Sequence, residues 1–183
     1  NYDVDWLRKT MDDDRLDCSG DEDDGEAWTS QWKGKSPAAM VLQLWDVARN
    51  RLVPFADVYD DIVYRMGPGG QFQDISEEAH YMIDRYEKAK AKDGRLDFCD
   101  CILRYAGYRM TFDGPRQVEP EGTIPPGVKA YIFDESQDTS ALLDKAAQRL
   151  ASESDWWYLM GDREQNIYNW SGSDGNLFMK WPV

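Results

Sequence analysis

The chain has 183 residues, 42% of them hydrophobic and 13% aromatic, which is enough for one or two small cores and excludes a disordered chain. Its 21 Lys and Arg stand against 35 Asp and Glu, for a formal net charge of −14, which argues against a general phosphate-backbone binder and leaves only a local DNA groove. No run approaches the roughly 18 apolar residues of a membrane span, and the N-terminal residues lack a basic stretch followed by an apolar one, so no membrane association is expected and the cytoplasm is the expected compartment. The three cysteines, Cys18, Cys99 and Cys101, cannot all pair, and they are read as reduced thiols.

The chain opens on Asn1 rather than Met, which implies a chain boundary or processing. Its first 36 residues show no sustained period. Between Asp12 and Glu26, nine acidic residues and one Arg are broken by Gly20 and Gly25, the composition of a solvated acidic insertion. Ser36 and Pro37 then form an N-cap and first-turn pair. Val41, Leu44, Trp45, Ala48 and Leu52 recur at helical spacing, predicting a helix to about Val53 that Pro54 ends. Phe55, Val58, Tyr59, Ile62 and Met66 predict a second helix, closed by the Gly-Pro-Gly-Gly run from Gly67 to Gly70. Ser76 opens a third, with Ala79, Met82, Ile83 and Tyr86 as its apolar stripe, a structural His80 beside it, and Gly94 at its end. A fourth is predicted from about Phe98 to Tyr108.

After the Pro and Gly cluster from Pro115 to Gly127, where a domain edge is expected, the character changes. Val128 to Phe133 is a short apolar run suited to a buried parallel strand. Asp138 to Ala151 has a helical stripe through Leu142, Leu143, Ala146, Ala147 and Leu150. Trp156 to Met160 is a second strand of the same kind, completing a βαβ unit.

In such sheets ligands gather at the carboxyl ends of the strands, and both strands here end in acid. The first runs Phe133, Asp134, Glu135, Ser136, Gln137, Asp138. An Asp at a strand tip can hold Mg²⁺ and an adjacent Glu can deprotonate an attacking water, the division of labour that phosphoryl transfer requires. The second strand leads into Gly161, Asp162, Arg163, Glu164, Gln165, Asn166, Ile167, Tyr168, Asn169, Trp170, Ser171 and Gly172.

Together, the segments DESQD and GDREQNIYNWSG resemble motifs II and III of the UvrD/Rep-type superfamily 1 DNA helicases, DExQD and GDxxQxIYxF/WRGA. Leu96, Asp97, Phe98 and Asp100 resemble the LDFDDL segment that returns the chain from the helical insertion of these helicases to their first RecA-like domain. The resemblance implies an α/β fold: part of a RecA-like P-loop NTPase domain, with a parallel sheet and flanking helices, over residues 96–183. A mostly helical insertion subdomain with its acidic loop at 12–26 would occupy residues 1–95.

It further implies that Asp134 ligates the Mg²⁺ of bound ATP, that Glu135 is the catalytic base, and that Gln165 senses the terminal phosphate. Gln137, Asp138 and Asp162 would be linked to the nucleotide, with Asp138 alternatively the N-cap of the next helix and Asp162 a strand-end cap. Tyr168 and Trp170 would stack on single-stranded DNA, a grip that tolerates any base. Implied partners are ATP and single-stranded or duplex DNA, and the implied activity is ATP-driven 3′ to 5′ translocation. The chain departs from the family pattern at Ser171 and Ser173, where Arg and Ala are usual, and at Cys99 and Cys101.

A nucleotide motor also needs a glycine-rich phosphate loop, and no GxxxxGK[ST] is present; Gly34, Lys35 and Ser36 imitate only its end. Family order places that loop before Asn1 and a second RecA-like domain after Val183, so the chain is expected to be a middle piece that is inactive alone. Two other readings remain open at this point: a noncatalytic interaction module or DNA mimic derived from such a helicase, and a metal-dependent nuclease built on Asp97, Asp100, Asp134 and Asp138.

Overall fold

A computed structural model describes residues 37–66, 76–165, 173, 177, 180 and 181. The acidic segment 12–26, Cys18, the Gly34–Lys35–Ser36 triplet and the Gly-Pro-Gly-Gly run lie outside these residues, as do Tyr168, Trp170, Ser171 and Gly172. The elements are α1 (Pro37–Arg51), α2 (Phe55–Met66), α3 (Ser76–Asp93), α4 (Phe98–Ala106), β1 (Tyr108–Thr111), β2 (Gly114–Gln117), β3 (Ala130–Phe133), α5 (Ala141–Ala151) and β4 (Trp156–Leu159), with 3-10 turns at Ser136–Asp138 and Arg163–Gln165. Helices joined to one antiparallel and one parallel pair of strands make an α/β chain. No described helix is long and apolar enough to cross a membrane. Two compact units divide the chain, the first drawing on Asn1–Leu44 and Tyr59–Asp97, the second on Trp45–Val58 and Phe98–Val183.

The first unit is helical. The predicted stripe of α3 is buried at Ala79, Met82, Ile83 and Tyr86, and Ala38, Val41 and Leu44 of α1 are buried likewise. His80, off that stripe, is exposed. Gly94 ends α3 as expected: at φ +63° it lets its own N–H reach Ala91 O and the N–H of Arg95 reach Lys90 O, satisfying carbonyls the helix end would otherwise orphan. Lys90, almost fully buried, donates to Asp97 at 2.8 Å and pairs with Glu87 at 3.0 Å, and its ammonium lies 4.5 Å from the centre of the Tyr86 ring. The Tyr86 hydroxyl also donates to Asp97, so one carboxylate holds the last turns of α3 to the segment that follows.

In the second unit, helix α1 stops at Arg51, two residues short of the prediction, because Leu52 turns into the left-handed region and Val53 N–H caps Ala48 O. Phe55 stacks on Phe112 and meets Trp45 at a tilt. Phe112 belongs to a hairpin that the sequence reading placed partly in a helix and partly in a domain edge: α4 ends at Ala106, and β1 pairs antiparallel with β2 from Tyr108↔Gln117 to Thr111↔Gly114. The Asp113–Gly114 dipeptide was its sequence signal. Arg49, also buried, pairs with Asp46 and with Asp100 at 3.3 Å. Arg149 of α5 donates to the carbonyls of Tyr105, Glu121 and Gly122 and lies over the Tyr105 ring, tying α5 to the end of α4 and the chain beyond the hairpin.

Strands β3 and β4 pair in parallel, in register from Ala130↔Trp156 to Phe133↔Leu159. Their side chains alternate between a half-buried face and an open one. On the covered face Trp181 meets Phe133 at a tilt and Trp157 edge-on. The other face corrects the expectation of strands buried on both sides, since Ile132, Trp156 and Tyr158 are 68%, 65% and 57% exposed. The residues are apolar on both faces, as in a parallel sheet covered by two layers, but Trp181 covers only one of them.

The Trp181 indole N–H donates to Asp144, a buried residue of α5 whose other oxygen accepts from Gln148 at 2.8 Å. Burial raises the Asp144 carboxyl above its ordinary 3.8, outweighing the Trp181 hydrogen bond, which lowers it. The native state thus binds this proton more tightly than the unfolded chain does. Its contribution to stability is full below the ordinary value and is lost as pH rises through the elevated native one. Asp144→Asn keeps the acceptor for Trp181 and removes the buried charge. By denaturant titration it should be at least as stable as the parent at neutral pH and should show a shallower fall in stability as the pH rises above the ordinary carboxyl value of 3.8; a less stable variant with an unchanged slope would show that the charge is needed.

Candidate functional site

The ends of β3 and β4 lie side by side because the strands are parallel and in register. The ladder runs on past both strands: Met160 N–H donates to Phe133 O and Ser136 N–H to Met160 O, each at 2.8 Å, and the Ser136 hydroxyl closes back on Phe133 O. The loop after β3 therefore turns at once into its 3-10 turn. Asp134 and Glu135 stand exposed at the tip, and Glu135 occupies the left-handed region at φ 51°, ψ 37°. One Asp134 oxygen accepts the Glu135 N–H at 2.9 Å.

Gln137 lies beneath the tip, 1% exposed. Its Nε2 donates to Glu135 Oε2 at 2.6 Å and its Oε1 accepts the backbone N–H of Asp162, at the end of β4, at 3.0 Å. Gly161 makes this approach feasible, because a Cβ there would stand 2.5 Å from Gln137 Oε1, 3.0 Å from Gln137 N and 3.1 Å from Ser136 N. Asp162 caps the next turn, accepting from Glu164 N–H at 3.0 Å and from Gln165 Nε2 at 2.9 Å. Glu135, Gln137, Asp162 and Gln165 thus form one hydrogen-bonded series, with the Gln165 amide engaged by Asp162.

The structure corrects the N-cap reading of Asp138. Helix α5 begins at Ala141, and Ser140 caps it by accepting Leu143 N–H, since Asp138 is held inside the 3-10 turn. Asp138 Oδ1 is buried without a hydrogen-bond partner. Ser173, where the family pattern has Ala, is buried and forms a bridge with Ser140. Tyr168 and Trp170 fall outside the described residues. Gly161, expected from the sequence only to end a strand, is the residue that permits the close approach.

Among the described residues no group of three or more His, Cys, Asp or Glu side chains is placed to hold a metal. Asp97 and Asp100, invoked in the nuclease reading, are each committed to a basic partner, Lys90 and Arg49. A strand-tip Asp with one oxygen outside any hydrogen bond does fit Mg²⁺ held through nucleotide phosphates and water, which needs only one or two carboxylates. An orphaned buried carboxylate oxygen at Asp138 is a second sign that the tip is built for a polar ligand.

The left-handed conformation of Glu135 has a cost that glycine would relieve. Glu135→Gly should be more stable than Glu135→Ala by about 1 kcal/mol in urea unfolding. Equal stabilities would show that the turn relaxes to ordinary backbone once the Glu135–Gln137 hydrogen bond is gone.

The UvrD/REP helicase N-terminal domain family matches residues 61–182. A probable DNA helicase II homolog from Mycoplasma pneumoniae is 28% identical over 112 residues, 58% of this chain and 14% of that protein. One subunit of an ATP-dependent helicase/nuclease from Lactobacillus delbrueckii subsp. bulgaricus is 32% identical over 98 residues, 53% of this chain and 8% of that protein. No solved structure matches the chain. The chain spans well under a fifth of the length of either relative, and with its strand tips arranged as above it belongs to the UvrD/REP helicase N-terminal domain family.

Proposed function

We propose that this chain is part of an ATP-dependent DNA helicase that couples ATP hydrolysis to 3′ to 5′ movement on single-stranded DNA in the cytoplasm. Residues 96–183 form the later part of its first RecA-like domain and residues 1–95 a helical insertion subdomain. A phosphate loop and a second RecA-like domain, in the same parent chain or in a partner, complete the motor, so the 183 residues alone neither hydrolyse ATP nor unwind DNA. The observation that carries this reading is the meeting of DESQD and GDREQ at one end of a parallel strand pair, where α/β sheets gather ligands. The family match over residues 61–182 supports it.

At this end Asp134 would hold Mg²⁺, which would supply neutralisation of the charge that develops during phosphoryl transfer. Glu135 accepts a proton from the attacking water, and its exposure beside Asp134 leaves room for one. Gln137 and Asp162 carry the link between the two loops, Asp138 offers its unpartnered oxygen to the same ligand region, and Gln165 leaves Asp162 to sense the terminal phosphate. Tyr168 and Trp170 stack on bases, so that the state of the nucleotide reaches the DNA through the loop after β4.

In the assembled helicase, Glu135→Gln should lower DNA-stimulated ATP hydrolysis by about 10²- to 10⁴-fold while ATP binding is kept. Trp170→Ala should weaken single-strand binding by about 1 to 3 kcal/mol, measured by fluorescence titration. Steady ATP turnover by the 183-residue chain alone, abolished by Glu135→Gln, would overturn the view that it is an incomplete motor.

A further inference from the structure

We infer that Gln137 is a positioning residue: its buried amide fixes the carboxylate of Glu135 by tethering it to the backbone of the loop after β4. The inference rests on the reading of Glu135 as the general base. The amide has two distinct ends, and the network assigns them. Asp162 N–H can only donate, so the atom facing it at 3.0 Å is Oε1, and Nε2 must then face Glu135, where it donates at 2.6 Å to a carboxylate oxygen. Reversing the amide would set two donors against each other at Asp162 and two acceptors at Glu135.

The consequences for the carboxylate follow from its position. Glu135 is exposed, and an exposed Glu samples many rotamers, whereas catalysis of proton transfer needs a fixed one. Ser136, the intervening residue, is fixed by its hydrogen bonds to Met160 O and Phe133 O, and Gln137 is among the most deeply buried side chains, so the donor presented to Glu135 does not wander. An apolar side chain of equal volume would fill the same space without holding the carboxylate, which separates positioning from packing. The tether also has a defined far end. Asp162 caps the turn that contains Gln165, so a shift of that turn draws on Gln137 and through it on Glu135. Gly161 sets the spacing: a Cβ there would lie 2.5 Å from Gln137 Oε1 and push the amide off Asp162.

The test uses the assembled helicase and variants at Gln137, Gly161 and Glu135. Gln137→Met keeps the volume and removes the hydrogen bonds to Glu135 and Asp162. It should lower kcat for DNA-stimulated ATP hydrolysis by about 10- to 100-fold, with KM for ATP within about twofold and the thermal unfolding midpoint retained. Gln137→Ala should lower kcat likewise, with a lower unfolding midpoint from the space it empties, and Gly161→Ala should lower kcat with the amide still present. In the Gln137→Ala/Gly161→Ala double variant the second change should cost less than it does alone, because its closest contact, Oε1, is absent and only the backbone contacts at Gln137 N and Ser136 N remain. Should Gln137→Met fail to fold, Gln137→Glu serves in its place, keeping the acceptor for Asp162 while setting a second anion beside Glu135, and should lose at least as much kcat.

A Gln137→Met enzyme with wild-type kcat, or fully multiplicative losses in the double variant, would overturn the tether. Glu135→Gln at the wild-type rate would instead refute the general-base reading itself, so the two failures are told apart.

Discussion

Two parallel strands that end at the same level force the loops that follow them into the same few ångströms, and in this chain the crowding is resolved at Gly161. Its missing side chain admits the Gln137 amide between the tips of β3 and β4, and the backbone hydrogen bonds between Phe133, Ser136 and Met160 lock the two loops together. The rest of the tip follows. The tight turn puts Glu135 in the left-handed region and turns its carboxylate toward the buried amide, while Asp162 is free to cap the next turn. A polar side chain this deeply buried is stabilising only when both its ends are satisfied, and here each end is satisfied by a different motif.

Charged groups carry a comparable role away from the tip. Lys90 in the first unit and Arg49 in the second are nearly fully buried cations, each held by two carboxylates and an aromatic ring. A buried cation that lost its carboxylates would be left uncompensated, which costs far more than the pairs contribute. The stretch from Leu96 to Asp100 thus has two acids with structural work to do, Asp97 facing Lys90 and Asp100 facing Arg49. That accounts for their spacing without any metal.

Much of this was legible in the sequence. The helical stripes of α1, α2 and α3 have the right period and clear stops at Pro54 and Gly94, and a strong local signal was matched by the fold. The parallel strands were legible because short apolar runs bounded by glycine and acid have few other uses. The β1–β2 hairpin was missed because its strands are four residues long and contain Arg109, Pro115 and Arg116, so neither shows an apolar alternation; only Asp113–Gly114 marked it. The start of α5 was misplaced because Asp138 and Ser140 are both good caps by residue type, and the choice depends on the 3-10 turn imposed by β4. At the candidate site, DESQD named the exposed carboxylates, but the Gln137 tether joins residues 25 positions apart and follows from strand register, which no local pattern encodes.

The open face of the β3–β4 pair has a consequence for handling the protein. Ile132, Trp156 and Tyr158 form an apolar surface on strands whose outer edges have no partner among the described residues, the arrangement that lets one sheet recruit another. Opposing this is the net charge of −14, which repels copies of the chain from one another. That repulsion reaches only about 8 Å at physiological ionic strength and about 3 Å in molar salt. Its acidity therefore opposes an association that the open face permits, and salt or a pH near the isoelectric point weakens that opposition while leaving the apolar face in place.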